Sequence, residues 1–406
     1  MCKGVNCSQW FDMKILERGR AMFHSASHKE IKAGKITDAY FPRTLTVLKA
    51  KKIDKWVKAE FVAKGLPGNL PWGILAGIEE CVELLGGLKV SVRSMGEGTV
   101  FKPYQPVMEI EGKYSEFGKY ETALLGFLCQ ASGVTTKAAR CKKAAGDRPV
   151  ISFGGRRVHP AIAPVVERSS FIGGFEGVAI LKSAEIIGEE AMGTMPHALI
   201  IIMGDTVEAT RAYSEVIGRK VKTISLIDTF NDEKFEALRV AEALSDKLYA
   251  VRVDTPASRR GNFLRILEEM RWELDLRGYN RVKLFVSGGL DESDIVELNP
   301  LVNGYGLGTS VSNARVIDFS MDIVEVEGEP IAKRGKSSGS KNVLRCPKCY
   351  QDKVIPFSEK LKRCECGGKY DELLYHLIRK GKVRERLPSP QKIRKYVLRE
   401  LENYAL

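Results

Sequence analysis

The chain has 406 residues, 44% of them hydrophobic and 28% charged, with a formal net charge of +13 and a pI near 9.2. That length holds two or three domains with sizeable cores, which excludes a wholly disordered protein. No apolar run approaches the roughly 20 residues of a membrane span, and the nine cysteines show no disulfide framework, so a reducing, cytoplasmic setting is expected.

Residues 1–21 differ in pattern from the rest of the chain and lack a continuous apolar leader. They read as an extension without an assigned role, with Met22 an alternative start. Residues 22–130 read as an N-terminal α/β domain. KAEFVA and VSVRS are strands, and TVFKPYQPVMEIEG is a pair of extended segments with proline at turns or edges. YETALLGFLCQASG reads as a helix ending near Gly133, with Leu124, Phe127 and Leu128 on one face.

From 131 to 332 short apolar runs lead into polar tips and then into helical stretches. The tips are FGGRR (153–157), FIGGFEG (171–177), SLIDTF (225–230), VRVDTP (251–256), FVSGGLD (285–291) and GYGLGTS (304–310). NDEKFEALRVAEALSDKL opens on Asn231 and acids, as a helix start should. NFLRILEEMRWEL places Phe263, Ile266, Leu267, Met270 and Leu274 at helical spacing. The alternation argues a parallel α/β architecture. Polar residues at successive strand ends favour an irregular (β/α) barrel over a doubly wound sheet.

KRGKSSGSKN (333–342) reads as a linker. Beyond it Cys346 and Cys349 form C-x2-C, and Cys364 and Cys366 form C-x-C before Gly367 and Gly368. Tetrahedral zinc takes four thiolates from two tight turns, so residues 343–372 are expected to be a structural zinc ribbon. The basic tail, 373–406, carries Arg379, Lys380, Lys382, Arg384, Arg386, Lys392, Arg394 and Lys395. It also spaces Ile393, Tyr396, Val397 and Leu401 as an apolar helix face, which favours packing on the chain's own body over nucleic-acid binding.

Glycine-thin tips expose backbone N–H groups to phosphate oxygens. Ser287, Gly288 and Gly289 in the fifth segment, and Gly308 and Thr309 in the last, occupy the place where such barrels carry a phosphate site. The alternative for these glycines is a tight turn. Arg156 and Arg157 read as two buried guanidiniums meeting a second anion, or as partners of Glu167 or another acid. Asp228 and Asp254, each before a threonine, are candidates for ribose hydroxyls or a metal-bound water, with helix N-capping the alternative. His197 and His159 are the histidines of this region.

SFGGRRVHP, GTMPHA, LIDTF, VRVDTPASRRGN, VSGGLD and GLGTS, in that order, resemble nicotinate phosphoribosyltransferase, and the four-cysteine ribbon resembles its archaeal branch. The resemblance covers Phe23 to the C-terminus. It includes ITDAYFPRT (36–44), similar to the family's opening motif, and ASGVTTKAAR (131–140), similar to the helix that enters the barrel of type II phosphoribosyltransferases. It implies transfer of phosphoribose from phosphoribosyl pyrophosphate to nicotinate, giving nicotinate mononucleotide and pyrophosphate in NAD salvage. It further implies magnesium with the pyrophosphate, ATP as co-substrate through a phosphohistidine, and a homodimer or higher homo-oligomer with a shared active site.

By the same resemblance Phe153 stacks the pyridine, and Tyr40, from a neighbouring subunit, closes its other face. Arg156 binds pyrophosphate, with Arg157 beside it. His197, in GT-x-x-H, is the phosphorylated residue, ahead of His159. Arg252 serves the ribose region and the nicotinate carboxylate, Asp254 the ribose hydroxyls, and Ser287, Gly288, Gly289, Gly308 and Thr309 the 5′-phosphate. Oxocarbenium-like glycosyl transfer asks for such positioning and for stabilisation of the departing pyrophosphate. The rivals are a quinolinate enzyme, which needs more converging cations, a nicotinamide enzyme, which needs fewer, and a zinc-ribbon nucleic-acid-binding protein.

Overall fold

The computed structural model describes residues 23–406 apart from 219, 220 and 385, so the extension 1–21 lies outside the described residues. Trp56–Ala63, Val90–Ser94 and Pro106–Lys113 form the centre of a seven-stranded antiparallel sheet. KAEFVA, VSVRS and the second half of TVFKPYQPVMEIEG are therefore strands, and Val100–Phe101 pairs separately with Gly73–Ile74. The sheet is completed from far along the chain. Phe319–Val326, within the span read as barrel, adds to Trp56–Ala63, and Tyr375–Arg379, within the tail, adds to Val90–Ser94. Without these additions the two inner strands would present unpaired N–H and C=O rows.

A 25-residue helix, Glu121–Ala145, joins the sheet to the barrel. It does not end near Gly133. That glycine is buried within it, and a Cβ there would lie 2.4 Å from the Arg315 carbonyl oxygen. Here glycine permits close approach of two backbones instead of stopping the helix. The same helix caps loose backbone groups of its neighbour: Ile74 N–H donates to Thr136 Oγ1 at 2.8 Å and Ala76 N–H to Ser132 Oγ at 2.9 Å.

The second sheet has six parallel strands in the order Gly177–Val178, Val150–Ser152, Gly304–Leu307, Lys283–Ser287, Leu248–Val253, Thr223–Leu226. The first strand pairs with the last in sequence, which closes the order as a barrel does and a doubly wound sheet does not. The ladder is open between Gly177–Val178 and Thr223–Leu226, so the barrel is a half-barrel, and the helices Leu181–Ile187, His197–Met203 and Thr206–Val216 lie in the chain between those two strands. FIGGFEG corrects the sequence reading. It closes the helix Ala163–Ile172 and leads into a strand, so it is not a C-terminal tip. A Cβ at Gly173 would lie 2.7 Å from the Thr135 carbonyl oxygen, which makes that glycine a helix-packing residue.

The segment 333–342 is pinned and does not behave as a free linker. The nearly buried Lys336 binds Ser320 and Asp322, and Lys341 reaches Glu60 at 2.8 Å. Just beyond, buried Arg93 pairs with Glu109 at 3.0 Å and donates to Asn342 Oδ1 at 2.8 Å, with Phe357 against its guanidinium. These partners dock the small sheet of Lys341–Arg345, Asp352–Pro356 and Asp371–Glu372 on the N-terminal sheet. The tail then forms the helix Pro390–Leu401, whose Ile393, Val397 and Leu401 are buried among Trp72, Phe171 and Ile172. Arg394 donates to the Phe175 carbonyl at 2.7 Å and pairs with Glu176, which accepts from Val150 N–H at the start of the barrel. Packing on the body is thus what the apolar stripe does. Among the described residues no helix is long and apolar enough to cross a membrane.

Gly133→Ala tests the crossing that joins the two parts. Alanine is the better helix former, yet the Arg315 carbonyl must move. Urea unfolding should show a loss of about 1–3 kcal/mol; equal or higher stability would contradict the crossing.

Candidate active site

The strand ends converge on one face of the half-barrel. Phe153 follows Val150–Ser152 and its N–H donates to the Leu307 carbonyl at 2.7 Å, which ties the first tip to the last. Its ring lies against Gly306, where a Cβ would come within 2.3 Å of the ring carbons. On the ring stands the Arg252 guanidinium, 5.7 Å from the centroid. Arg252 Nε is buried and unpartnered. Burial pulls the guanidinium's pKa below its usual value, an effect that Asp254 and Asp228 oppose. A partly buried cation with one unsatisfied donor, lying on an aromatic ring, has the chemistry to receive an anionic group beside a flat ring.

His197 opens its helix at the same face. Its Nδ1 lies 3.0 Å from Thr229 Oγ1, which directs Nε2 toward Asp254 Oδ2 at 3.8 Å and Asp228 Oδ2 at 3.9 Å. These separations exceed a hydrogen bond but couple the groups electrostatically. The Asp228 side chain is 4% exposed with Oδ1 unpartnered, and burial raises its pKa above the ordinary carboxylate value while His197 opposes. Asp254 is more open and accepts from Ser287 Oγ at 2.7 Å. Neither aspartate N-caps a helix; Asp232 caps the one after the Asp228 tip.

Gly288 and Gly289 take positive φ, 86° and 67°, beside Asp254. A Cβ at Gly288 would lie 2.9 Å from Asp254, so the turn and the closeness to the carboxylate both require glycine. Gly308 and Thr309 open the short turn Thr309–Ser312 across from Gly154, whose Cβ would strike the Gly308 carbonyl. Three residues escaped the sequence reading. Thr229 holds His197. Gly306 seats Phe153. Buried Arg260 binds the Thr255 carbonyl at 2.7 Å and the Gly288 carbonyl, tying two tips together. Thr229 and Arg260 stand inside LIDTF and VRVDTPASRRGN, but nothing in their spacing shows what they touch.

Two expectations change. Arg156 and Arg157 are exposed, so neither is a buried guanidinium needing an anion to offset desolvation. Glu167 is their partner in neither case: it is fully buried and accepts from the N–H groups of Ala179 and Ile180. Arg156 still lies close enough to depress the Arg252 pKa. His159 is also exposed, its Nδ1 accepting from Ala161 N–H within its own turn. Tyr40 is 58% exposed, and among the described residues its ring contact is with Phe41 at 4.4 Å, not with Phe153.

Away from this face, Cys346, Cys349, Cys364 and Cys366 bring their sulfurs within 4.8 Å of one another, with pairs at 3.5 and 3.6 Å. Four thiolates at these spacings suit a tetrahedral ion such as zinc. A Cβ at Gly368 would fall 2.6 Å from Cys346 Sγ, so the glycine after C-x-C makes room for the ligand.

Gly306→Ala should push the Phe153 ring out of its seat, raising the KM of the flat substrate at least about tenfold while that of the phosphorylated substrate stays within about twofold; equal change in both would reject the seat. Metal analysis of the purified chain should find one zinc, lost with Cys364→Ser together with several degrees of Tm; wild type that is metal-free and equally stable would reject the site.

The chain matches the family model described as the quinolinate phosphoribosyl transferase N-terminal domain over residues 38–132, and that of its C-terminal domain over 134–322. It is 30% identical over 360 residues to a nicotinate phosphoribosyltransferase of Mycobacterium tuberculosis, covering 77% of this chain and 78% of that one. The crystal structure of a nicotinate-nucleotide pyrophosphorylase from Pyrococcus furiosus is 52% identical, with a TM-score of 0.94 over 95% of this chain and 100% of that one. Human nicotinic acid phosphoribosyltransferase shares the fold, with a TM-score of 0.73 at 19% identity over 91% of this chain and 94% of that one. With both family domains in order and relatives similar over most of their length, the chain belongs to the nicotinate phosphoribosyltransferases, built on the type II phosphoribosyltransferase fold.

Proposed function

We propose that the enzyme joins nicotinate to phosphoribosyl pyrophosphate, giving nicotinate mononucleotide and pyrophosphate, as a cytoplasmic step of NAD salvage coupled to ATP. The observation that carries the reading is Arg252: one partly buried guanidinium, its Nε buried and unpartnered, over the Phe153 ring. One such cation matches the single carboxylate of nicotinate. Quinolinate brings a second carboxylate, and the neighbouring arginines are exposed. Nicotinamide brings none, and would leave the buried Arg252 Nε without a partner.

In this reading the pyridine stacks on Phe153. Its ring nitrogen donates a lone pair to C1′ as the C1′–O bond to pyrophosphate breaks, and no proton has to move. Asp254, oriented by Ser287, holds ribose hydroxyls, and with Asp228 stabilises the positive charge that develops on the sugar. Arg156 and Arg157, exposed at the first tip, take the departing pyrophosphate. The oxygen donors of Asp228 and Asp254 suit the magnesium that accompanies pyrophosphate. Ser287, Gly288, Gly289, Gly308 and Thr309 receive the 5′-phosphate. His197, fixed by Thr229 beside two carboxylates, is the phosphoryl acceptor from ATP, in preference to the exposed His159. Tyr40 completes the ring sandwich from a second copy of the chain, consistent with its exposure and with an exposed Val47 on the same helix. Zinc occupies the four-cysteine cluster and serves folding.

The test is product formation from phosphoribosyl pyrophosphate with nicotinate, quinolinate or nicotinamide, with and without ATP. Nicotinate should be turned over, faster with ATP, and His197→Ala should lose the enhancement while retaining basal turnover. Arg252→Ala should raise the nicotinate KM by about 10–100-fold, the weight of one charge-assisted contact. Faster turnover of quinolinate would replace the substrate; indifference to ATP and to His197 would remove the coupling alone.

A further inference from the structure

Three arginines are less than a tenth exposed among the described residues: Arg93, Arg260 and Arg345. Arg93 pairs with Glu109 at 3.0 Å and Arg345 with Asp352 at 2.8 Å. Arg260, 8% exposed, forms no ion pair among the described residues. Its Nε donates to the Thr255 carbonyl at 2.7 Å, Nη2 donates to the Gly288 carbonyl, and the guanidinium lies 4.6 Å from the Phe263 ring centroid. Two carbonyl dipoles and a ring face hold the group in place, yet its whole charge stays without a counter-ion, a costly state for a buried cation. Two of its five N–H donors are used, and Nη1 makes no hydrogen bond among the described residues. The acid on the same tip does not supply the charge. Asp254 accepts from Ser287 Oγ with Oδ1 and turns Oδ2 toward His197.

The guanidinium borders the glycine turn of the next tip. A Cβ at Gly289 would lie 3.9 Å from Arg260 Nη2 and, its chain neighbours apart, would meet no other atom within 4 Å. The residues assigned above to the 5′-phosphate are Ser287, Gly288, Gly289, Gly308 and Thr309, and none carries a charge. A phosphate monoester brings about two negative charges at neutral pH. An uncharged cradle and a buried cation without a counter-ion stand side by side, and each supplies what the other lacks.

We propose that Arg260 is a further substrate-binding residue: its unused Nη1 hydrogens and second Nη2 hydrogen form a fork on the phosphate oxygens of the phosphoribosyl substrate. The carbonyls of Thr255 and Gly288 and the Phe263 ring fix that fork before the substrate arrives. The proposal rests on the phosphoribose reading of this face and is independent of the pyridine.

Equilibrium titration of the intact enzyme with ribose 5-phosphate and, separately, with pyrophosphate tests it, on wild type, Arg260→Met and Arg260→Lys. Methionine keeps an unbranched apolar stem beside Phe263 and removes the charge. Ribose 5-phosphate should bind about 10–100-fold more weakly to Arg260→Met, with pyrophosphate changed less than about twofold. Arg260→Lys should recover part of the loss, because an ammonium returns the charge without the fork. In turnover the KM of phosphoribosyl pyrophosphate should rise while that of the pyridine stays. Unchanged ribose 5-phosphate binding in Arg260→Met, equal weakening of both ligands, or a lysine variant no better than methionine would each leave Arg260 a staple between two tips and overturn the proposal. Should Arg260→Met not fold, Arg260→Lys decides alone: several-fold weaker ribose 5-phosphate with unchanged pyrophosphate supports the proposal, and equal change in both overturns it. Wild type that does not bind ribose 5-phosphate would overturn the phosphoribose reading as well; the other adverse results strike Arg260 only.

Discussion

The candidate catalytic face depends on one short parallel ladder, in which Val150, Ile151 and Ser152 pair with Tyr305, Gly306 and Leu307. This pairing brings together residues about 150 positions apart in the chain. It sets the Phe153 ring on Gly306, sets Gly154 against Gly308, and places the glycines of the last two tips on the same side as the first. Three residue pairs are a weak ladder alone, and the surroundings hold it. Glu176 accepts from Val150 N–H and is itself gripped by Lys142 at 2.9 Å and by Arg394 at 2.8 Å. The C-terminal helix is thereby part of the support for the first barrel strand.

The electrostatics at the face suit the proposed flat anion beside a cationic transition state. Arg252 is the partly buried cation over the ring, while Asp228 and Asp254 both lie near His197 Nε2. The two aspartates are not equivalent. Burial favours the neutral form of Asp228, whereas Asp254 is more open and takes a hydroxyl bond from Ser287. In the proposed reaction positioning would do most of the work, since glycosyl transfer asks for held groups and fixed dipoles more than for covalent assistance.

The four-cysteine ribbon is joined to this arrangement. Arg345, next to Cys346, pairs with Asp352 at 2.8 Å and lies 3.6 Å from Glu400 on the C-terminal helix. Tyr350 and Trp72 each contact the Tyr404 ring, and Trp72 donates to the Ala405 carbonyl at 2.9 Å. These contacts connect the four-cysteine cluster to the C-terminal helix, and through Arg394 and Glu176 to the start of the first barrel strand. The basic residues of the tail divide accordingly: Arg394 is a structural clamp, and Lys395 faces solvent.

Much was legible in the sequence because it is local. KAEFVA and VSVRS were legible as strands, cysteine spacing marked the ribbon, and polar tips after apolar runs marked the residues that gather at the barrel mouth, since side chains at strand ends need no distant partner to be recognised. Glycine was the recurrent ambiguity. Gly133 read as a stop and Gly173 as part of a tip, yet both exist so that another backbone can approach, a fact fixed by Arg315 and Thr135 elsewhere in the chain. Arg156 and Arg157 look like buried charges in a run of glycines, and only the folded chain leaves them exposed. The sequence by itself determined the chemistry available: an ordered set of glycine-thin polar tips, a histidine and two aspartates among them, and four thiolates. Tertiary structure alone decided that the barrel stays half open, that the supposed linker is pinned by Asp322, and that Thr229, Gly306 and Arg260 set the geometry of the site. Those depend on contacts between segments far apart in sequence, which no local pattern encodes.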